Sequence, residues 1–215
     1  MEFMEEESDD ADVAVRVQLK GLRGGHSGLE INAGRGNANK LMARFVREAM
    51  DELAVVLASW NGGNMRNAIP ASCEVVLTLP EEAIDELKAI AAKYEALYNS
   101  EYATIEEGIS LTVEECELPE TVVPEEIQDN LIDVVLACHD GVFRFIPTIP
   151  DTVETSSNLA SVRNNGENTI TITTSQRSSI ISARDNVSDC VRAAFELGGA
   201  NVITKGHYPG WKPNV

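Results

Sequence analysis

Residues 13–28 read VAVRVQLKGLRGGHSG, and they contain two kinds of pattern in one stretch. Val13, Val15, Val17 and Leu19 alternate with Ala14, Arg16, Gln18 and Lys20. That period of two describes a strand with one face buried and one face wet. The alternation then stops in a bend that holds one of the chain's three histidines, His26, among Gly24, Gly25 and Gly28. Glycine lets a backbone turn with positive φ and pass close to another group, which suits a binding site and an ordinary tight turn equally.

Outward from this stretch, the period changes to that of a helix. Leu41, Met42, Phe45, Ala49, Met50 and Leu53 recur at three- and four-residue spacing, predicting a helix from Asn37 to Leu53. Val55–Trp60 and the alternating Cys73, Val75, Leu77 and Leu79 predict two more strands. Pro80 opens a helix with Glu81 and Glu82 in its first turn, where negative charge complements the helix dipole. Its apolar face is Ile84, Leu87, Ala91 and Tyr94, and Ile109–Val113 forms a fourth strand. The order of the first half is β-α-β-β-α-β.

The second half nearly repeats it. A helix from Pro124 turns Ile127, Leu131, Val134, Val135 and Cys138 inward. Strands near 153–162 and 168–175 follow, then a helix over 179–197 with Val187, Cys190, Val191 and Ala194 inward, and a last strand near 201–206. This second half lacks a clear first strand. The expected fold is α+β: one antiparallel sheet with helices on one face, built from two ferredoxin-like halves. Residues 1–12 are expected to be a disordered acidic leader, with 13–118 and 119–215 as the halves of one continuous domain.

Composition narrows the partners. The 215 residues carry 17 Lys and Arg against 35 Asp and Glu, a formal charge of −18, which repels nucleic acid and anionic membranes. No apolar run reaches the ~18 residues of a membrane span, and no signal peptide is evident. Cys73, Cys116, Cys138 and Cys190 are scattered within apolar runs and form no CxxC pair. They read as buried structural thiols of a reducing compartment, which points to the cytoplasm.

The chemistry on the chain is sparse. His26, His139 and His207 lie far apart, with no metal-ligand spacing, so no metal site is expected here. His139, in ACHDG, is expected to serve a helix end, and His207 to be solvated. Ser27 beside His26 is a poor nucleophile–base pair, because adjacent residues on an extended backbone point apart. Three polar residues stay unexplained by a plain core: His26, Asn67 in MRNAIP, and Arg177 in TTSQRSS.

The blocks LKGLRGGHSGLEINAGRGNANKLMARF, NGGNMRNAIP, VETSSNLASV and GHYPGW resemble the aminoacyl-histidine dipeptidases, zinc-dependent exopeptidases related to carnosinase. The resemblance runs over residues 13–213 and covers only the lid, or dimerisation, domain of such enzymes. It implies that a two-zinc catalytic domain lies outside this chain, before Met1 and after Val215, and that the chain alone is inactive. It further implies that His26 stabilises an oxyanion, that Asn67 and Arg177 bind a dipeptide substrate, and that a homodimer can form through the lid. Two other readings remain open: a stand-alone ferredoxin-like module that binds a partner or small molecule, and a hydrolase using His26 with Ser27.

Overall fold

The computed structural model describes residues 1–165 and 168–206. Strands β1 (Glu6–Glu7) and β2 (Asp12–Lys20) lead through the two-residue β3 (Gly25–His26) to helix α1 (Ala38–Glu52). Then come β4 (Val56–Gly62), β5 (Ala68–Ile69) and β6 (Cys73–Pro80). A 3-10 turn over Glu81–Ala83 opens α2 (Ile84–Glu101), followed by β7 (Ser110–Cys116) and β8 (Thr121–Val122). The second half comprises α3 (Glu125–Ala137), β9 (Gly141–Phe145), β10 (Val153–Asn164), β11 (Ile170–Ser178) and α4 (Ile181–Leu197).

One antiparallel sheet, in the order β11-β10-β4-β6-β2-β7, joins the two halves, with β9 paired to the start of β10. The alternation read in residues 13–19 sets the register: Val15 lies opposite Leu77, Val17 opposite Val75 and Leu19 opposite Cys73. All six of these side chains enter the core with Leu41, Met42 and Phe45 of α1. The opposite face of β2 is polar, where Gln18 donates to Glu74 and Lys20 donates to Gln18. Burying a side chain such as Phe45 or Leu77 stabilises the fold by about 1.5–3 kcal/mol each. A one-residue slip of β2 would reverse both faces at once.

The start of α1 is fixed by Asn37, whose side chain accepts the Asn39 N–H at 3.1 Å as an N-cap. The buried amide of Asn39 then locks the sheet to the helix. Trp60 donates through Nε1 to Asn39 Oδ1 at 2.9 Å, and Asn39 Nδ2 reaches the Gly62 carbonyl.

Several expectations are corrected. Residues 1–12 are not a detached leader: Glu6 and Glu7 pair with Val122 and Thr121, and the Phe3 N–H donates to Asn168. Met1 and Phe3 pack against the core, so two apolar anchors outweigh the acidic run between them and β2. Residues 201–206 form no strand; Val202 packs against the core without a ladder. On α2, Ile90 and Tyr98 are buried where Tyr94 is only half-buried. On α4, Phe195 takes the inward position, and Cys190 is exposed while Cys116 is half-buried. Strand β9 was not anticipated, because its GVFRF sequence leaves both Phe143 and Phe145 largely exposed. His207 and the rest of the GHYPGW block after Gly206 lie outside the described residues.

Candidate functional site

The glycine-rich bend after β2 folds back as half of a small ribbon. Gly25 pairs with Ile69 and His26 with Ala68, and the Ser27 N–H donates to the Asn67 carbonyl at 2.8 Å. The ribbon therefore places His26 beside Asn67, although the two are 41 positions apart in sequence. It is tied to the main sheet by Asn158 of β10, whose Nδ2 donates to the Ala68 carbonyl at 2.9 Å.

Arg177 reaches the same place from the sheet's edge. It lies on β11 opposite Ser156 of β10, and its guanidinium projects toward Gly28. A β-carbon placed on Gly28 would sit 3.0 Å from Arg177 Nη1 and 3.1 Å from His26 Cε1. The imidazole and the guanidinium thus flank one glycine. Arg177 is exposed, while His26 and Asn67 are half-buried, so a ligand can approach all three.

The histidine's proton is placed by its neighbours. Nδ1 accepts the Gly28 N–H at 3.1 Å, so the neutral ring carries its proton on Nε2. That leaves Nε2–H as the donor of the ring. The His26 N–H donates to Glu30 Oε2 at 2.8 Å, and Glu30 pairs with Arg35 at 2.6 Å. These bonds hold the Glu30 carboxyl below its ordinary value, with the His26 N–H the larger cause and Arg35 the next.

Beneath the ribbon runs a buried polar strand that sequence reasoning quoted but assigned no role. Glu154, Thr155, Ser156, Ser157 and Asn158 are all buried. Thr155 bonds Ser178, Gln176 donates to Ser157 at 3.1 Å, and Arg144 donates to Glu154 at 2.6 Å. The signal was five consecutive polar side chains in a predicted strand, where alternation would place apolar ones. Ser27 is almost wholly buried and its Oγ has no hydrogen-bond partner among the described residues. A hydroxyl so enclosed is not presented to a substrate, which disfavours a Ser27 nucleophile.

A second polar cluster closes the end of α3. Lys40 Nζ donates to the Val135 and Leu136 carbonyls at 2.8 Å each and also to that of Cys138. The cation expected of His139 at this helix end is supplied by Lys40, while the His139 ring packs edge-on against Phe143. Asp140 accepts the Leu159 N–H at 2.7 Å and an Asn37 amide at 3.0 Å, and burial raises its carboxyl above the ordinary value. Among the described residues no three His, Cys, Asp or Glu side chains converge as a metal site. No described helix is long and apolar enough to cross a membrane.

Residues 17–106 match the model of the peptidase dimerisation domain. Residues 17–106 carry a peptidase dimerisation domain. The chain is 35% identical over 200 residues to the cytosol non-specific dipeptidase of Escherichia coli (strain K12), an alignment that takes in 93% of this chain and 41% of that protein. Its fold is similar to that of aminoacylhistidine dipeptidase from Vibrio alginolyticus, with a TM-score of 0.95 at 36% identity. That match covers all of this chain and 44% of the other. The resemblance read from the sequence motifs thus holds across the fold, and the chain spans less than half the length of these relatives.

Proposed function

We propose that this chain is the lid and dimerisation domain of a cytoplasmic, metal-dependent dipeptidase acting on Xaa-His-type dipeptides. His26 donates its Nε2–H to the peptide oxygen as negative charge builds there. Such a donor is most effective when it is oriented in advance and shielded from water. Asn67 donates to the substrate backbone, and Arg177 grips the terminal carboxylate through its two-pronged guanidinium. A dipeptidase must measure chain length, and a guanidinium one residue beyond the scissile bond does that.

The observation that carries this reading is the convergence of His26 and Arg177 on Gly28. Water activation is assigned to residues outside this chain, and two zinc ions are expected there. The domain alone is therefore inactive, and its second role is to pair with another copy. The alternative of a stand-alone ferredoxin-like module is not favoured, because the similarity to dipeptidases extends through the whole chain.

The test uses the full-length enzyme with an Xaa-His dipeptide and with the same dipeptide as its C-terminal amide. The wild-type protein should prefer the free carboxylate strongly, and Arg177→Ala should raise KM for the dipeptide at least tenfold while leaving the amide nearly unaffected. Equal losses on both substrates would remove Arg177 from the carboxylate site.

A further inference from the structure

The proposed substrate contacts do not explain why residues 28–36 read GLEINAGRG, with a carboxylate four residues after His26 and an arginine five beyond that. Both close back on the histidine. Glu30 accepts the His26 N–H at 2.8 Å, and the His26 carbonyl in return accepts the Glu30 N–H at 2.9 Å and the Leu29 N–H at 3.1 Å. Arg35 pairs with Glu30 at 2.6 Å and donates to the Gly24 carbonyl at 2.6 Å. The backbone is therefore clamped on both sides of the imidazole. Gly25 lies where this pair crosses the chain: any β-carbon there would strike Arg35 Nη1 and Glu30 Oε2, and its φ of +127° also excludes ordinary side chains.

We propose that Glu30 and Arg35 are positioning residues that fix the tautomer and aim of His26. The inference rests on the oxyanion reading of His26 given above. With the backbone of 24–30 held, the Gly28 N–H stays in reach of Nδ1, and the proton stays on Nε2 where charge develops. Without the clamp, the ring is free to take the other tautomer or to turn from the reacting oxygen. A donor only about 1 Å out of place costs on the order of 10² in rate. Supporting contacts of this kind decide whether a site is preorganised or loose.

Two measurements test it. In the full-length enzyme, Glu30→Ala should lower kcat by about 10- to 100-fold, with KM changed by no more than about twofold. Glu30→Gln, which keeps an oxygen acceptor for the His26 N–H, should restore kcat to within about threefold of wild type. In the 215-residue chain, the ring-nitrogen chemical shifts of His26 should report a proton on Nε2 in the wild type and a mixed tautomer in Glu30→Ala. If Glu30→Ala does not fold, Arg35→Met serves in both measurements. Unchanged ring shifts together with unchanged kcat would overturn the proposal, as would a lowered Tm with full turnover below it. Retained kcat in a His26→Ala control would instead overturn the oxyanion reading, and the ring shifts would still decide whether the clamp sets the tautomer.

Discussion

At the scale of single residues, the site depends on what glycine leaves empty. Gly28 has no side chain, and the space beside it is filled by the His26 ring and the Arg177 guanidinium. Both are ends of flexible side chains, so Gly28→Ala should leave the fold intact while pushing one or both aside by a few tenths of an ångström. In the full-length enzyme we expect kcat/KM to fall at least about tenfold, with Tm nearly unchanged; steady-state kinetics beside a thermal melt check this. Wild-type kinetics in Gly28→Ala would mean that the two groups do not act at that point. His26 was legible in the sequence because three glycines surround it. Glu30 and Arg35 were not, since a carboxylate and a guanidinium in a polar loop look like solvated charges until the turn closes. Asn158 escaped for a related reason: its partner, the Ala68 carbonyl, belongs to a segment 90 residues earlier.

Between elements, the ion pairs that join α1 to α2 set a pH dependence. Glu48 of α1 accepts from Lys93 and Tyr94 of α2, and Arg44 of α1 forms a two-pronged pair with Glu101. The Glu48 carboxyl is held below its ordinary 4.5 by Lys93 first and Tyr94 next, and that of Glu101 by Arg44. A carboxyl with a depressed folded-state value contributes stability that is complete above the unfolded value. That stability is lost as pH falls through the folded value. The melting temperature should therefore fall as pH drops below about 4.5, and Glu48→Gln with Glu101→Gln should flatten the fall. Because these pairs are partly exposed to solvent, they are screened and the slope should shrink in high salt. An unaltered acid limb in the double variant would contradict the assignment. Elements with strong periodicity, such as β2 and α1, were readable within a residue or so. Strand β9 was not, because alternation is a signal of one-sided burial and β9 has little burial on either side.

For the molecule as a whole, one sheet carries both halves, and the proposed site lies where they meet. The ribbon of β3 and β5 comes from the first half, while β10 and β11, which support it and supply Arg177, come from the second. The sequence pattern revealed two α/β halves, but not that a ribbon from one would lie on strands of the other, since two-residue strands leave no periodic trace. The incomplete second repeat follows from the same arrangement: β8 pairs with β1 outside the main sheet, and 201–206 adds no strand. The central claim is that this junction holds a donor for an oxyanion. It is tested most directly by the affinity of the full-length enzyme for a phosphinic dipeptide analogue, whose tetrahedral oxygen mimics that charge. His26→Ala should weaken the analogue by about 10²–10³-fold and the substrate dipeptide by only a few-fold. Equal weakening of both, or none of either, would contradict it.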